Sequence, residues 1–398
     1  MPDVLEHTSV PRLRGRDGRR LRVGHLTTID MSLALLLQTE LQVDVDSGLE
    51  TFGLSAEGPY VDRVSQLGVE HVPIASLTRA WDLGGDLAAA RELLTVVRRL
   101  GLDVLHTHNP KTGVLGRLVG RLARVPVVVN TCHGLWAQQE DTVLRRITVY
   151  GLESAAARLS DAELYQNGAD RQTLQRWVRQ SKTRVVGNGT DLVRFHPDPS
   201  LAEPLRVELG VGPSELLVGG VGRLVAEKGI HEFVHAARAL EGKARFVWFG
   251  PPDPAKSDSF SPGGSNVLFA GERSDMPAVY NAMDVFVLPS HREGFSRSAM
   301  EAAACGTPMV LSDIRGCREI GSHGKELLLV PPRDPVALAE QVEVLLLDPA
   351  LRNRLALAAQ ERATAAFDQR RVAVTSLETY AEIAARKGLG WTVEGGAR

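Results

Sequence analysis

The chain has 398 residues, 43% hydrophobic and 24% charged, with a mean hydropathy of −0.08; it is long enough for two domains and lies outside the disordered and membrane-spanning classes. A formal net charge of −2 lacks the basic surplus of a dedicated nucleic-acid binder, so no nucleic-acid partner is expected. Three cysteines, Cys132, Cys305 and Cys317, show no paired or ligand-like spacing, which predicts a reducing, cytoplasmic setting.

At the N-terminus, Arg12, Arg14, Arg16, Arg19, Arg20 and Arg22 precede no apolar leader segment, and residues 1–20 read as a flexible basic tail. A first strand opens in RLRVGHLTT (20–28), and MSLALLL (31–37) is too short to span a bilayer. DVD (44–46), superficially a DxD metal motif, sits amid turn residues ahead of strand-like LETFGLS and reads as a solvated turn. DLAAARELLTVVRRL (86–100) predicts an amphipathic helix and LDVLHTH (102–108) a strand. His106 and His108 share one face of that strand; with His133 they could ligate a metal, or they simply line a ligand site at the strand end. In the next helix Arg117, Arg121 and Arg124 recur at helical spacing. They form either a solvated basic face or a face drawn to anionic lipid, worth ~1 kcal/mol per charge near a membrane.

PVVVNTCHG (126–134) closes the first half, and the Pro-containing NGTDLVRFHPDPS (188–200) reads as an interdomain linker. The second half restarts with the strand ELLVGGVGRL (215–224) and the helix GIHEFVHAARAL (229–240), on which Ile230, Phe233, Val234, Ala237 and Leu240 make one apolar stripe. Strands RFVWFG (245–250), DVFVLPS (284–290) and PMVLSD (308–313) follow, and helical patterns fill 334–386. This alternation predicts an α/β protein of two successive parallel-sheet halves, with a ligand cleft between them at strand C-termini.

The stretch HREGFSRSAMEAAACGTP (291–308) sets Glu293 and Glu301 apart by seven residues. Gly294 permits a sharp bend after the strand, Ser296 suits an N-cap, and Gly306 with Pro308 ends the helix. The helix start is an anion site, so a phosphate could lie on its N–H groups while both carboxylates take hydroxyls, as a nucleotide sugar requires. Alternatively, Glu293 merely complements the helix dipole and Glu301 faces solvent. Arg223, at a strand end, and Lys228, five residues on, suit a diphosphate, although loop cations of this kind are also commonly just solvated. GGVGRLV (219–225) fails as a dinucleotide fingerprint because Val225 takes the third glycine position.

VGRLVAEKGIHEFVHA, VFVLPSHREGFSRSAMEAAACGTPMV and HTHNPKTGVLGRLVGRLARVPVVVNTCHGL resemble the retaining glycosyltransferases of family four, of GT-B fold, across about residues 20–386. The resemblance implies two Rossmann-like domains, an acceptor-side one at 21–190 and a nucleotide-sugar-binding one at 191–368. It further implies that a helix at 369–386 crosses back to the first. It also implies that Glu293 acts near the donor sugar and Glu301 near the ribose. Arg223 and Lys228 would hold the diphosphate, Gly294, Phe295 and Ser296 would complete the donor site, and His133 would approach the transferred sugar. No metal or other cofactor is implied. Many relatives carry a Gly-Gly loop after the first strand where this chain reads TTIDMSLA (27–34), so acceptor identity does not carry over. The first half most resembles members that build polysaccharides on polyprenyl-diphosphate lipids. The implied enzyme transfers sugar, with retention, from a nucleotide diphosphate sugar (by resemblance a UDP-sugar) to a saccharide or lipid-linked acceptor. Its expected place is the cytoplasm, peripheral to the inner face of the membrane. The alternative is a nucleotide-sugar-binding module, or an epimerase-like protein of the same fold, without acceptor transfer. A glycoside hydrolase would also use two carboxylates but has no need of a diphosphate clamp.

Overall fold

A computed structural model describes residues 10–108, 110–137, 141–254 and 256–394. The chain forms two compact units, one of Met1–Gly187 with Arg370–Arg398 and the other of Asn188–Gln369. Among the described residues no helix is long and apolar enough to cross a membrane.

The first unit is built on a seven-stranded parallel sheet. Its order is Glu70–Pro73, Glu50–Ala56, Arg22–Ile29, Val104–His108, Val127–Cys132, Ala162–Tyr165, Thr183–Val185. The chain therefore builds outward in one direction from Arg22–Ile29, then returns to the other side of that strand. Such a reversal makes the two neighbouring strand ends diverge and leaves room for side chains or ligands. His25 and His106 are register partners across it, and His108 lies beside Thr131. The helix Gln369–Lys387 packs on this unit. Its buried Ala373, Leu377, Tyr380 and Ala384 recur at helical spacing, and Leu377 and Tyr380 join Val23, Val104, Val129 and Leu164 in one apolar cluster.

The second unit repeats the arrangement with six parallel strands. The order is Val267–Gly271, Arg245–Phe249, Leu217–Val221, Val285–Leu288, Met309–Ser312, Leu328–Val330. Alternate residues serve opposite faces. Val247, Phe249, Phe286 and Leu288 fill one core cluster, while Phe246, Trp248, Val285 and Val287 fill the other. Burial on both faces is why these strands read as continuous apolar runs. Gly229 shows how tightly the layers meet. At φ 76° it joins a short turn to the helix Ile230–Ala239, and a Cβ there would lie 2.1 Å from the Pro289 carbonyl oxygen.

Three expectations are corrected. Residues 10–20 are not a free tail: Arg12–Arg14 pairs antiparallel with Thr392–Glu394, Leu13 is buried, and Arg19 bonds both oxygens of Asp103; residues 1–9 lie outside the described residues. Asp44 is not in a solvated turn but fully buried in the helix Gln38–Asp46. Arg117, Arg121 and Arg124 form no common outward face. Arg117 is 1% exposed and clamped by Glu153 at 2.5 Å and Glu163 at 2.9 Å. Arg121 bonds Asp161 at 2.7 Å and the Leu159 carbonyl. Arg124 follows the helix end at φ 60°. Helical spacing told only that these arginines share a side; the adjacent acidic residues made it an inward one.

A buried cation between two carboxylates leaves both uncompensated when it is removed, which costs about 3–5 kcal/mol. Arg117→Met is therefore expected to lower the stability of the first unit by that amount in urea unfolding followed by circular dichroism. An unchanged transition would refute the buried triad.

Candidate active site

In the second unit, the strands flanking the reversal point are Leu217–Val221 and Val285–Leu288. Arg223 follows the first and Glu293 the second. Lys228 ends the short turn Ala226–Lys228, and its Nζ lies 2.6 Å from Glu293 Oε1, both groups mostly buried. The lysine stem runs close beside Gly222. The two clusters that the sequence separates by 65 positions are thus one ion pair. Arg223, more exposed, pairs instead with Asp253, which lies beyond the end of the neighbouring strand Arg245–Phe249. Gly316 closes the site from below. A Cβ on it would stand 2.6 Å from the Glu293 carbonyl oxygen, so the backbone carrying the carboxylate can settle only on a glycine.

Ser296 caps the helix Arg297–Ala304, its hydroxyl accepting from Ala299 N–H at 3.3 Å. Phe295 meets Phe367 edge to face and joins the core, which anchors the helix mouth; Gly294 is half-buried between Glu293 and Phe295. Glu301 does not face solvent. Its carboxylate accepts from Tyr280 O–H at 2.8 Å and has Arg297 4.0 Å away, and burial raises its pKa against that nearby cation. Tyr280, which sequence reasoning missed, comes from the helix Met276–Ala282; nothing in a lone tyrosine on an apolar helix marks it in advance.

The first unit holds a second polar cluster, on the strands at its own reversal point. His25, His106 and His108 are fully buried, and His133 follows the strand Val127–Cys132. His106 lies between Tyr380 O–H at 2.6 Å and Thr131 O–H at 2.7 Å, with Glu40 at 3.3 Å. Burial would raise the Glu40 pKa, but the facing histidines bring it down to about 2. His108 contacts His133 and His25, not His106, through its nitrogens. One donor atom each from His25, Glu40, His106 and His108 lies within 4.8 Å of the others, a donor set that would suit a zinc-type ion. The rings also meet one another: His25 faces His108, and His108 faces His133, nitrogen to nitrogen at 3.1 and 3.0 Å, distances at which one ring can donate to the next.

Each unit is thus a doubly wound parallel sheet, and the second carries a cation and carboxylate group at its reversal point. Solved structures share this fold: sucrose-phosphate synthase from Thermosynechococcus elongatus (TM-score 0.78, 23% identity, 92% of this chain and 100% of that one) and Anabaena HepE in complex with UDP-glucose (TM-score 0.77, 20% identity, 91% and 100%). The architecture is GT-B, that of two-domain glycosyltransferases. Residues 33–189 match the family described as glycosyl transferase 4-like domain, and residues 215–348 match glycosyl transferases group 1. A D-inositol 3-phosphate glycosyltransferase of Xylanimonas cellulosilytica is 31% identical over 84% of this chain and 86% of its own length. A Campylobacter jejuni N,N'-diacetylbacillosaminyl-diphospho-undecaprenol alpha-1,3-N-acetylgalactosaminyltransferase is 25% identical over 90% and 98%. An Escherichia coli UDP-Gal:alpha-D-GlcNAc-diphosphoundecaprenol alpha-1,3-galactosyltransferase is 29% identical over 65% and 70%. The chain belongs to the family 4 glycosyltransferases.

Burial, with the charge of His106 nearby, lowers the His133 pKa from 6.5 to about 4. Between those values the unfolded chain holds the proton and the folded chain does not, so acidification from pH 6.5 to about 4 favours unfolding; above 6.5 the effect is absent. Melting curves of the unsubstituted protein and of His133→Gln are therefore expected to converge, or cross, as pH falls through this window. A constant difference between the two midpoints would contradict the shift.

Proposed function

We propose that this glycosyltransferase moves a sugar from a UDP-sugar to a polyprenyl-diphosphate-linked or saccharide acceptor, with retention of configuration and without a metal at the donor diphosphate. The observation that carries the reading is the Lys228–Glu293 pair between the two strand ends at the reversal point, with Arg223 on the same strand end as Lys228. An ammonium has three donors and a guanidinium five, so Lys228 can keep Glu293 and Arg223 can keep Asp253 while each also takes a phosphate oxygen. The N–H groups at the start of the helix Arg297–Ala304 supply further positive potential. The names of the E. coli relative, which uses UDP-Gal, and of the UDP-glucose complex of HepE support the choice of base.

In the proposed reaction the bond between the anomeric carbon and the β-phosphate oxygen breaks, and its electron pair leaves with UDP. The acceptor oxygen bonds the same face of that carbon, and its proton passes to the departing phosphate. Negative charge grows on the leaving group, where Arg223 and Lys228 are already in place and need no reorganisation. Glu293 orients sugar hydroxyls and is kept ionised by Lys228; Glu301 takes the ribose; His133 contacts the transferred sugar. Arg223→Ala and Lys228→Ala are each expected to reduce kcat roughly a hundredfold or more in UDP-sugar assays run with EDTA. The product anomer, read by NMR, should match that of the donor. Transfer by both variants at the unsubstituted rate, or loss of all activity in EDTA, would sink this reading.

A lipid-linked acceptor calls for a membrane-facing surface, and the helix Val143–Ala156 supports one. Its Val143, Leu144 and Ile147 are 62%, 76% and 66% exposed on successive turns, with Arg145 beside them. Large apolar side chains next to a cation suit an anionic bilayer surface. Leu144→Asp with Ile147→Asp should abolish flotation with anionic liposomes while leaving turnover on a water-soluble acceptor analogue intact; flotation equal to that of the unsubstituted protein would count against the surface.

A further inference from the structure

The buried polar groups of the first unit contain one unbroken line. Asp44 Oδ2 lies 2.7 Å from His25 Nε2, and His25 Nδ1 lies 3.1 Å from His108 Nε2. His108 Nδ1 lies 3.0 Å from His133 Nε2, and His133 Nδ1 lies 2.9 Å from the Gln166 amide nitrogen. Three secondary-structure contexts contribute: a helix residue, residues of two adjacent strands at the reversal point, and two residues just beyond strand ends. We propose that Asp44 is a positioning residue which, through His25 and His108, fixes the ring nitrogen of His133 that carries the proton. The inference rests on the sugar contact proposed for His133.

The proton positions follow one from another. An ionised carboxylate only accepts, so His25 Nε2 holds a hydrogen; burial opposes a charge on this ring while the bond to Asp44 raises its pKa, and above that pKa the neutral ring leaves Nδ1 bare. His25 Nδ1 must then accept from His108 Nε2–H, which leaves His108 Nδ1 bare to accept from His133 Nε2–H. His133 Nδ1 is left as an acceptor, which the N–H of the Gln166 amide, 2.9 Å away, can satisfy. Asp44 is fully buried and its other oxygen, Oδ1, has no hydrogen-bond partner among the described residues, so the carboxylate's hydrogen bonding there is spent on His25. A proton added at His25 would reverse every donor in the line and turn the Gln166 amide around.

The consequence for a sugar is specific. With Nε2–H committed to His108, a hydroxyl that displaces Gln166 from His133 must donate to Nδ1; with the line reversed it would have to accept from Nδ1–H. The carboxylate, three rings away, decides which. Where a histidine ligates a metal, loss of the partner that sets its tautomer costs about tenfold to hundredfold in affinity or activity, and an effect of that order is expected here.

The experiment uses the full chain with 15N-labelled histidine and long-range 1H–15N NMR, with circular dichroism as the folding control. At a pH above the His25 titration, the unsubstituted protein should show His133 as the single Nε2–H tautomer. In Asp44→Asn the amide can either accept from or donate to His25, so the preference is lost and both His133 nitrogens should shift toward tautomer-averaged values. In parallel kcat should fall about tenfold or more, with the donor KM changed less than about twofold. His108→Phe, which keeps ring volume and cuts the line while sparing the Asp44–His25 pair, should give the same spectrum for His133 and should make Asp44→Asn silent in its background. Unchanged His133 signals in either folded variant, or a tautomer shift with kcat unaltered, would overturn the proposal. The spectra need no turnover, so an unsubstituted protein without transfer activity would refute the proposed reaction and leave the tautomer coupling to be judged by itself.

Discussion

The reversal of winding direction in each sheet is the constraint on which the chemistry depends. In both units the first sheet strand ends up third from one edge, with its sequence successors on one side and the later strands on the other. Crossovers on its two sides run over opposite faces, so the loops leaving neighbouring strand ends part company there. In the second unit that gap receives Lys228 and Glu293; in the first it receives His25, His106 and His108. In the second unit Gly229 and Gly316 let the surrounding backbone come close, against Pro289 and Glu293 respectively.

Charge is handled by pairing in both units. Lys228 with Glu293 and Arg117 with Glu153 and Glu163 each put a cation against carboxylates where water is scarce, while Arg223 meets Asp253 at a more exposed place. The pairs differ in role because they differ in access. Arg117 is sealed on all sides and serves the fold, since buried charge left alone is severely destabilising. Lys228 and Arg223 keep some exposure and unused donors, which is what a group needs if it is to take a phosphate without first losing its partner. The histidine line is a third solution: imidazole rings set in series, each ring nitrogen meeting the next group in the line.

Much of this was legible in one dimension. Apolar runs alternating with amphipathic segments announced parallel sheets covered on both faces, and the motif around Glu293 and Glu301 announced a capped helix after a strand. The places where sequence reasoning failed share a cause. Asp44 looked like a turn residue because its neighbours Asp46, Ser47 and Gly48 are turn formers, yet the helix runs on to Asp46 and turns Asp44 inward onto His25. Arg117 looked solvent-facing because its partners Glu153 and Glu163 lie 36 and 46 residues away. Local pattern reports which residues share a side of an element; it does not report what packs against that side.

What the sequence determined by itself was the class of most of the elements, the family, and the residue types gathered at the second unit's strand ends, because periodicity and short motifs are local properties of the backbone and its caps. The tertiary structure alone decided which of those residues meet. Lys228 reaches Glu293, Glu301 reaches Tyr280, and Asp44 reaches His133 by way of two other rings. Strand order sets such contacts, and strand order is a property of the whole packed sheet, fixed only when all its crossovers are in place.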